Sequence, residues 1–193
     1  MTHASGASTT WILPFDALRV AYEEMATDGR RGCEGIALWS GTRTDSRPSE
    51  VTVSRVILLR GPGIRRARGF IQITPELLNE VTDALFERND GSYLIGQIHG
   101  HPPNSSTDLS PTDVEFGIRT PDYLSIVAPS FGMGGVNIMA CGVHVFDKDI
   151  GWYRIRQREI GARIIVNRQS VLEVCTIGTL ALQIDASGRW IGS

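Results

Sequence analysis

Several residues in one short stretch of this chain could bind a metal ion. The stretch "GQIHGHPPNSSTDLSPTDVEFG", residues 96–117, contains His99 and His101 with only Gly100 between them. Alternate side chains of a β-strand point to the same face, so the two imidazoles are expected side by side where the strand ends at Pro102 and Pro103. Two histidines in this arrangement are a chelating pair suited to Zn²⁺. Two ligands alone do not make a site, however, and an ordinary strand end with two surface histidines is the alternative.

A third ligand is expected from one of two Ser-x-x-Asp runs, Ser105 to Asp108 and Ser110 to Asp113. The second run has the pattern of a helix start, with serine at the cap, Pro111 at the first helical position and aspartate at the third. Asp108 lies in the turn-rich "NSSTDL", where no rigid element would hold it. We therefore predict Asp113 as the ligand. The alternative is a capping box without metal, in which the Asp113 carboxylate turns back to the Ser110 amide.

Three protein ligands leave a fourth position for water, which is the layout of a catalytic zinc site. Such a site needs a base to take a proton from the water. Glu34 is the candidate, because it stands at the very start of the apolar segment "EGIALWSG", where a charged side chain is otherwise poorly placed. By itself Glu34 is more typical of a solvated carboxylate at a strand edge.

The segments "EGIALWSG", "IHGHPP" and "SPTD", in this order, resemble the JAMM motif of the JAB/MPN-domain metalloproteases. That motif combines an upstream glutamate with H-x-H-P and S-x-x-D. The resemblance extends in element order over roughly residues 10–155. It departs from the family at Gly100, where serine or threonine is frequent, and in the eight residues between His101 and Ser110, slightly more than the commonest eukaryotic spacing.

The resemblance implies a role for each matching residue. His99, His101 and Asp113 would bind zinc, with water as the fourth ligand. Glu34 would deprotonate that water and pass the proton to the leaving amine, and Ser110 would donate a hydrogen bond to the oxyanion.

The function implied by the resemblance is hydrolysis of the amide bond after the C-terminus of a ubiquitin-like protein, in deconjugation or in precursor maturation. The implied setting is a bacterial ubiquitin-like conjugation system in anti-phage defence, with E1-like and E2-like partners. Two alternatives are a catalytically silent MPN scaffold and a RadC-like JAB domain linked to DNA metabolism. RadC-like domains usually follow a helix-hairpin-helix segment, which this sequence lacks.

The fold expected around these residues is α/β, more specifically mixed α+β in one domain. Strand patterns such as "TTWILP", "VTVSRVILLR" and "YLSIVAP" are interspersed with two helical patterns, "FDALRVAYEEMATDG" and "TPELLNEVTDALFERNDG". The resemblance implies a JAB/MPN-like (cytidine-deaminase-like) central, mostly antiparallel sheet flanked by helices. We predict a disordered tail over residues 1–8 and a single domain over residues 9–193.

Composition narrows the function classes. The net charge of −2 does not favour nucleic-acid binding, and no apolar run is long enough for a membrane span. The three cysteines, Cys33, Cys141 and Cys175, are odd in number and widely spaced, which is typical of free thiols in a reducing compartment. A cytoplasmic protein without nucleic-acid or membrane partners is therefore expected.

Several other charged or flexible segments are predicted to be structural or to lie in loops and on solvated faces. His144 alternates with apolar residues and is predicted to be structural, with support of the zinc site as the alternative. Arg65, Arg66 and Arg68 are predicted to lie in a solvated loop, or else to contact an acidic partner. The segment "YRIRQRE" predicts a strand with Arg154, Arg156 and Arg158 on one solvated face, and "GMGG", residues 132–135, predicts a mobile loop near the cleft.

Overall fold

The computed structural model describes residues 9–44, 49–168 and 172–178, and the backbone alone of residues 183–184 and 190–191. The tail predicted over residues 1–8 lies outside these ranges, and the division into tail and single domain stays a prediction. The helices are α1 (Phe15–Gly29), α2 (Pro75–Arg88), α3 (Pro111–Phe116) and α4 (Gln157–Arg163). The strands are β1 (Thr10–Pro14), β2 (Ile36–Arg43), β3 (Glu50–Leu59), β4 (Ile64–Arg66), β5 (Ile71–Ile73), β6 (Tyr93–Gly100), β7 (Leu124–Ala128), β8 (Gly142–Asp147), β9 (Gly151–Arg154), β10 (Ile164–Asn167), β11 (Glu173–Ile177), β12 (Gln183–Ile184) and β13 (Trp190–Ile191).

One large mixed sheet organises the fold, in the order β10-β1-β3-β2-β6-β7-β8-β9, with β11 also beside β3. β2 lies at the centre and pairs antiparallel with β3 and β6. β6 pairs parallel with β7, and β3 pairs parallel with β1 and β11. The mixed α+β class is confirmed. The described pairings of this sheet divide evenly between the two orientations, so the sheet is less dominated by antiparallel pairs than the resemblance implies.

The strand β2 is buried on both faces because a helix packs on each side of the sheet. Ala37 and Trp39 point into a core with α1 and Met25, whereas Ile36 and Leu38 point into a second core with α2. This alternation follows from the period of two along a strand. The start of α2 forms as predicted, since Thr74 accepts the amide of residue 77 and proline follows it. No helix in the described part of the chain has the length and apolar character needed to cross a membrane.

The structure differs from the predicted elements in three places. The predicted strand "YRIRQRE" is wrong beyond Arg154, because "QREIGAR" forms helix α4 with Ile160 as its buried contact. Arg156 precedes that helix and Arg158 lies within it, so the three arginines do not share a strand face. The predicted arginine loop contains strand β4, which pairs with β5. The pattern of "NIMACGVHVFD" predicts one continuous strand, but residues 138–140 form a single 3₁₀ turn and the strand begins at Gly142.

Candidate metal centre

The sheet brings Glu34 and the two histidines together. Ile36 at the start of β2 pairs with His99 near the end of β6, and the Gly100 amide donates to the Gly35 carbonyl at 3.1 Å. Glu34 therefore lies at the same end of the sheet as His99 and His101. Its amide donates to the Ala67 carbonyl at 2.8 Å, which ties this end of β2 to the segment after β4.

His99, His101 and Asp113 form a compact cluster, with ligand atoms within 4.8 Å of one another. The Nε2 atoms of the two histidines are 3.2 Å apart. One Asp113 oxygen lies 3.4 Å from His99 Nε2, and the other lies 3.3 Å from His101 Nε2. The edge of a tetrahedron is about 1.63 times the distance from centre to corner, so zinc bonds of about 2.0–2.1 Å predict edges of about 3.3–3.4 Å. The separation of the two imidazole nitrogens and the distance from each of them to its nearer Asp113 oxygen are close to such an edge, and two imidazoles with one carboxylate are a donor set found at catalytic zinc sites.

Asp113 faces the histidines and caps its own helix at the same time. Its Oδ2 accepts the Ser110 amide at 2.7 Å, and the Ser110 hydroxyl accepts the Asp113 amide at 3.2 Å. The sequence alone is compatible with either a capping box or a metal ligand at Asp113. Both are present, because Oδ1 faces His99 while Oδ2 lies between His101 and the Ser110 amide. The box fixes the rotamer that aims the carboxylate at the imidazoles.

A backbone carbonyl orients His101. His101 Nδ1 lies 2.7 Å from the Ser106 carbonyl oxygen, which can only accept, so Nδ1 carries the proton. In the neutral ring this leaves Nε2 free to bind a metal. His99 is fully buried, and its Nδ1 has no hydrogen-bond partner among the described residues.

Burial and charge set the protonation of the cluster. Burial raises the pKa of Glu34 to about 7; the Asp113 charge adds to this and His101 opposes it. Burial would also raise the pKa of Asp113, but hydrogen bonds with the two histidines and Ser110 hold it well below its usual range. Burial alone would lower the pKa of His101, and its hydrogen bonds to Asp113 and the Ser106 carbonyl outweigh this and raise it. Glu34 is thus the carboxyl in this cluster that can take up and release a proton near neutral pH.

The glycine between the histidines has a steric cause. A Cβ on Gly100 would lie 2.8 Å from the Cα and 3.0 Å from the carbonyl carbon of Phe131. The segment at Phe131 covers this face of the strand end, and its amide donates to the His101 carbonyl at 2.7 Å. This close backbone contact leaves no room at residue 100 for the serine or threonine that is frequent in JAMM motifs.

Asp108 lies outside the cluster of His99, His101 and Asp113. It forms an ion pair with Arg154 of β9 instead. His144 is buried on β8, burial lowers its pKa to about 4, and its Nδ1 has no partner in the described part of the chain. Arg66 binds Asp28 of α1 at 2.7 Å and is not a solvated loop residue, whereas Arg65 and Arg68 are exposed. In the segment 132–135 Gly132 is buried, and the three residues after it are exposed.

Sequence reasoning missed the Ser106 carbonyl and the contacts of Arg154. A carbonyl carries no residue-type signal, because every residue has one. The alternation in "YRIRQRE" predicts Arg154 on a solvated strand face, whereas its pairing with Asp108 joins residues 46 positions apart.

Comparison with known proteins bears on the chemistry. The chain is 26% identical over 148 residues to the protein named "Probable metalloprotease y4jG" from Sinorhizobium fredii, covering 76% of this chain and 87% of that protein. The chain is thus similar to a protein named as a probable metalloprotease. With the His99, His101 and Asp113 cluster, this similarity supports a bound metal ion and a general metallopeptidase function. No family model matches the chain.

A solved structure shares the fold. The solution structure of protein DSY2949 from Desulfitobacterium hafniense superposes with a TM-score of 0.55 at 15% identity, covering 83% of this chain and 95% of that one. At this identity the likeness shows a common fold and does not bear on activity.

Proposed function

We propose that this protein is a zinc-dependent peptidase of the JAMM type. The observation that carries the proposal is the buried Glu34 carboxyl beside two imidazoles and a carboxylate whose ligand atoms lie within 4.8 Å of one another. His99, His101 and Asp113 are assigned as zinc ligands, Glu34 as the general base and Ser110 as the oxyanion donor. The similarity to a probable metalloprotease points to the same class of chemistry.

Glu34 is suited to move a proton in both directions. His99, His101 and Asp113 would hold a zinc ion, which would serve as a Lewis acid for the water and the scissile carbonyl. A carboxyl with a pKa raised to about 7 accepts a proton more readily than an ordinary glutamate and still releases it near neutral pH. Glu34 therefore takes the proton of the attacking water and delivers it to the leaving amine.

Ser110 is assigned to the oxyanion because its hydroxyl is fixed beside the cluster. Its oxygen accepts the Asp113 amide, which fixes the side chain at the start of α3. Among the described residues no acceptor takes the hydroxyl hydrogen, so that hydrogen can be donated to the developing oxyanion.

The shape beside the cluster favours an extended polypeptide as substrate. A cavity is lined by Asp113, by Ile71, Gln72 and Ile73 of β5, and by Phe116 and Ile118. Within the described residues β5 pairs only with β4, so its other edge can hydrogen-bond to an incoming strand. We propose that this strand is the C-terminal tail of a ubiquitin-like protein, cleaved from a conjugate or from a precursor extension, in a conjugation system with E1-like and E2-like partners and a role in anti-phage defence.

A direct test uses ubiquitin carrying a C-terminal aminocoumarin amide, together with a ubiquitin-like protein bearing a C-terminal peptide extension. The zinc-loaded protein should cleave at least one of these after the terminal glycine, whereas Glu34→Gln should bind zinc and cleave neither. Zinc binding without cleavage of either probe, by the native chain, would contradict the peptidase proposal and favour a silent scaffold. Salt-sensitive DNA binding in place of cleavage would favour the RadC-like alternative.

A further inference from the structure

We propose that Arg154 and Asp108 are positioning residues that hold the metal ligand His101 in its binding tautomer. The inference depends on the zinc centre of the proposed function, but not on its substrate. It assigns a role to the first Ser-x-x-Asp run, which supplies no ligand, and to an arginine on a strand that carries none of the ligands.

The chain of contacts begins at His101. Its Nδ1 donates to the Ser106 carbonyl at 2.7 Å, and this bond orients the ring with Nε2 towards Asp113. Ser106 lies in the exposed loop that joins β6 to α3. The tautomer of His101 therefore depends on how well this loop is held.

Asp108 holds the loop from within. The Ser106 hydroxyl donates to Asp108 Oδ2 at 2.7 Å, and the Asp108 amide donates back to the same hydroxyl oxygen at 3.0 Å. This reciprocal pair closes a tight turn immediately after the carbonyl that binds His101. The hydrogen bond from Ser106 and the charge of Arg154 both hold the pKa of Asp108 below its usual range.

Arg154 ties the closed loop to the sheet. Its Nη1 bonds to Asp108 Oδ1, and its Nη2 donates to the Thr107 hydroxyl at 3.0 Å. The fork of one guanidinium thus spans two neighbouring loop residues. The loop also rests directly on β8, because a Cβ on Gly142 would lie 1.8 Å from the Thr107 carbonyl oxygen. Arg154 on β9 and Gly142 on β8 together set the position of the loop backbone.

The solvent exposure of Asp108 and Arg154 distinguishes a role in positioning His101 from a role in stabilising the fold. Asp108 is 63% exposed and Arg154 is 40% exposed, so their ion pair is expected to add little to folding. Groups that orient a metal-binding imidazole typically change metal affinity by about 10–100-fold when removed. The two residues act on the imidazole through a carbonyl, so we expect the lower end of this range.

The test is a competition titration of Zn²⁺ against a chromophoric chelator, with Arg154→Ala, Asp108→Ala and the double variant. Each single variant should bind Zn²⁺ roughly tenfold more weakly, and the double variant should be no weaker than either, because both act through one loop. Arg154→Lys should recover only part of the affinity, since one ammonium cannot span both contacts. Arg19→Ala is the matched control, because Arg19 is ion-paired and 46% exposed but lies on α1 with Asp16 and Glu23.

The visible spectrum of the Co²⁺-loaded protein gives a second readout. The band shape should change in Arg154→Ala and Asp108→Ala and stay native in Arg19→Ala, while the melting temperatures of all three metal-free proteins stay close to the native value. Unchanged affinity and an unchanged spectrum in both loop variants would overturn the proposal, as would an equal loss of affinity in Arg19→Ala. If Arg154→Ala does not fold, Asp108→Asn decides the matter, because this highly exposed position tolerates the isosteric amide. Cleavage is not measured, so a failure here is distinct from a failure of the peptidase proposal.

Discussion

Replacing Gly100 with alanine should disturb both the fold and the metal cluster. The new Cβ would stand 2.8 Å from the Cα of Phe131, whereas carbon atoms in contact are normally about 3.5–4.0 Å apart. One backbone must therefore move by roughly 0.7 Å or more. Phe131 cannot retreat freely, because a Cβ on Gly29 of α1 would lie 2.5 Å from its Cβ, and its amide is bonded to the His101 carbonyl.

Overpacking of this kind costs about 1–3 kcal/mol, and we expect the upper half of that range because the contact is between two backbones. The same movement displaces the carbonyl end of His101, so zinc affinity should also fall. Urea unfolding measures the first effect, and competition with a chelator measures the second. Gly134→Ala is the control, since its Cβ meets nothing within 4 Å, and it should leave the free energy of unfolding within about 0.5 kcal/mol. Native stability and native zinc affinity in Gly100→Ala would refute the steric explanation for this glycine.

Three further predictions concern Ser110, His144 and His101. Ser110→Ala should lower kcat by about 10²–10³-fold because the oxyanion donor is lost, and it should lower the free energy of unfolding by about 1 kcal/mol because the helix cap is lost, while zinc stays bound. Kinetics and metal analysis check this, and a native kcat would contradict the assigned role. For His144 the pKa falls from 6.5 in the unfolded chain to about 4 in the folded one, so its stabilising contribution is complete above pH 6.5 and is lost as the pH falls towards 4. The loss should reach about 3 kcal/mol in urea unfolding of the native chain and be absent from His144→Gln, so an identical pH profile in both proteins would count against it. Zinc affinity should fall as the pH drops from 8 to 6, because the pKa of His101 is raised above its ordinary 6.5 and protons compete with the metal at this ring. A dissociation constant for zinc that does not change between pH 6 and 8 would be inconsistent with His101 as a ligand.

The proximity of His99, His101 and Asp113 can be expected from the sequence because these residues lie on local patterns. An H-x-H pair at a strand end and a serine, proline and aspartate at a helix start are each specified within a few residues. The proximity of Glu34 to His99 requires strand pairing, and it was inferred from the order of the JAMM-like segments and not from spacing alone. The antiparallel register of β2 and β6 places the two residues at one end of the sheet.

The features that the sequence does not reveal depend on long-range contacts. Arg154 and Asp108 meet only after β8 and β9 fold back beside the loop. The parallel partners of β1 and β3 at the edge of the sheet come from the last third of the chain, and no local pattern specifies them. The segment "QREIGAR" has too few apolar residues to show a clear helical period. The alternation of arginines with other residues from Arg154 onwards therefore predicts a strand that runs too far.

Zinc content is the measurement that bears most directly on the metal centre. Protein purified without chelators, or reconstituted and desalted, should contain about one zinc per chain by inductively coupled plasma mass spectrometry. Glu34→Gln should retain that zinc, whereas His99→Ala and Asp113→Ala should lose it, and removal of the metal from the native chain should abolish cleavage until zinc is restored. A metal-free preparation with full cleavage activity, or undiminished zinc in both His99→Ala and Asp113→Ala, would contradict a zinc site formed by His99, His101 and Asp113.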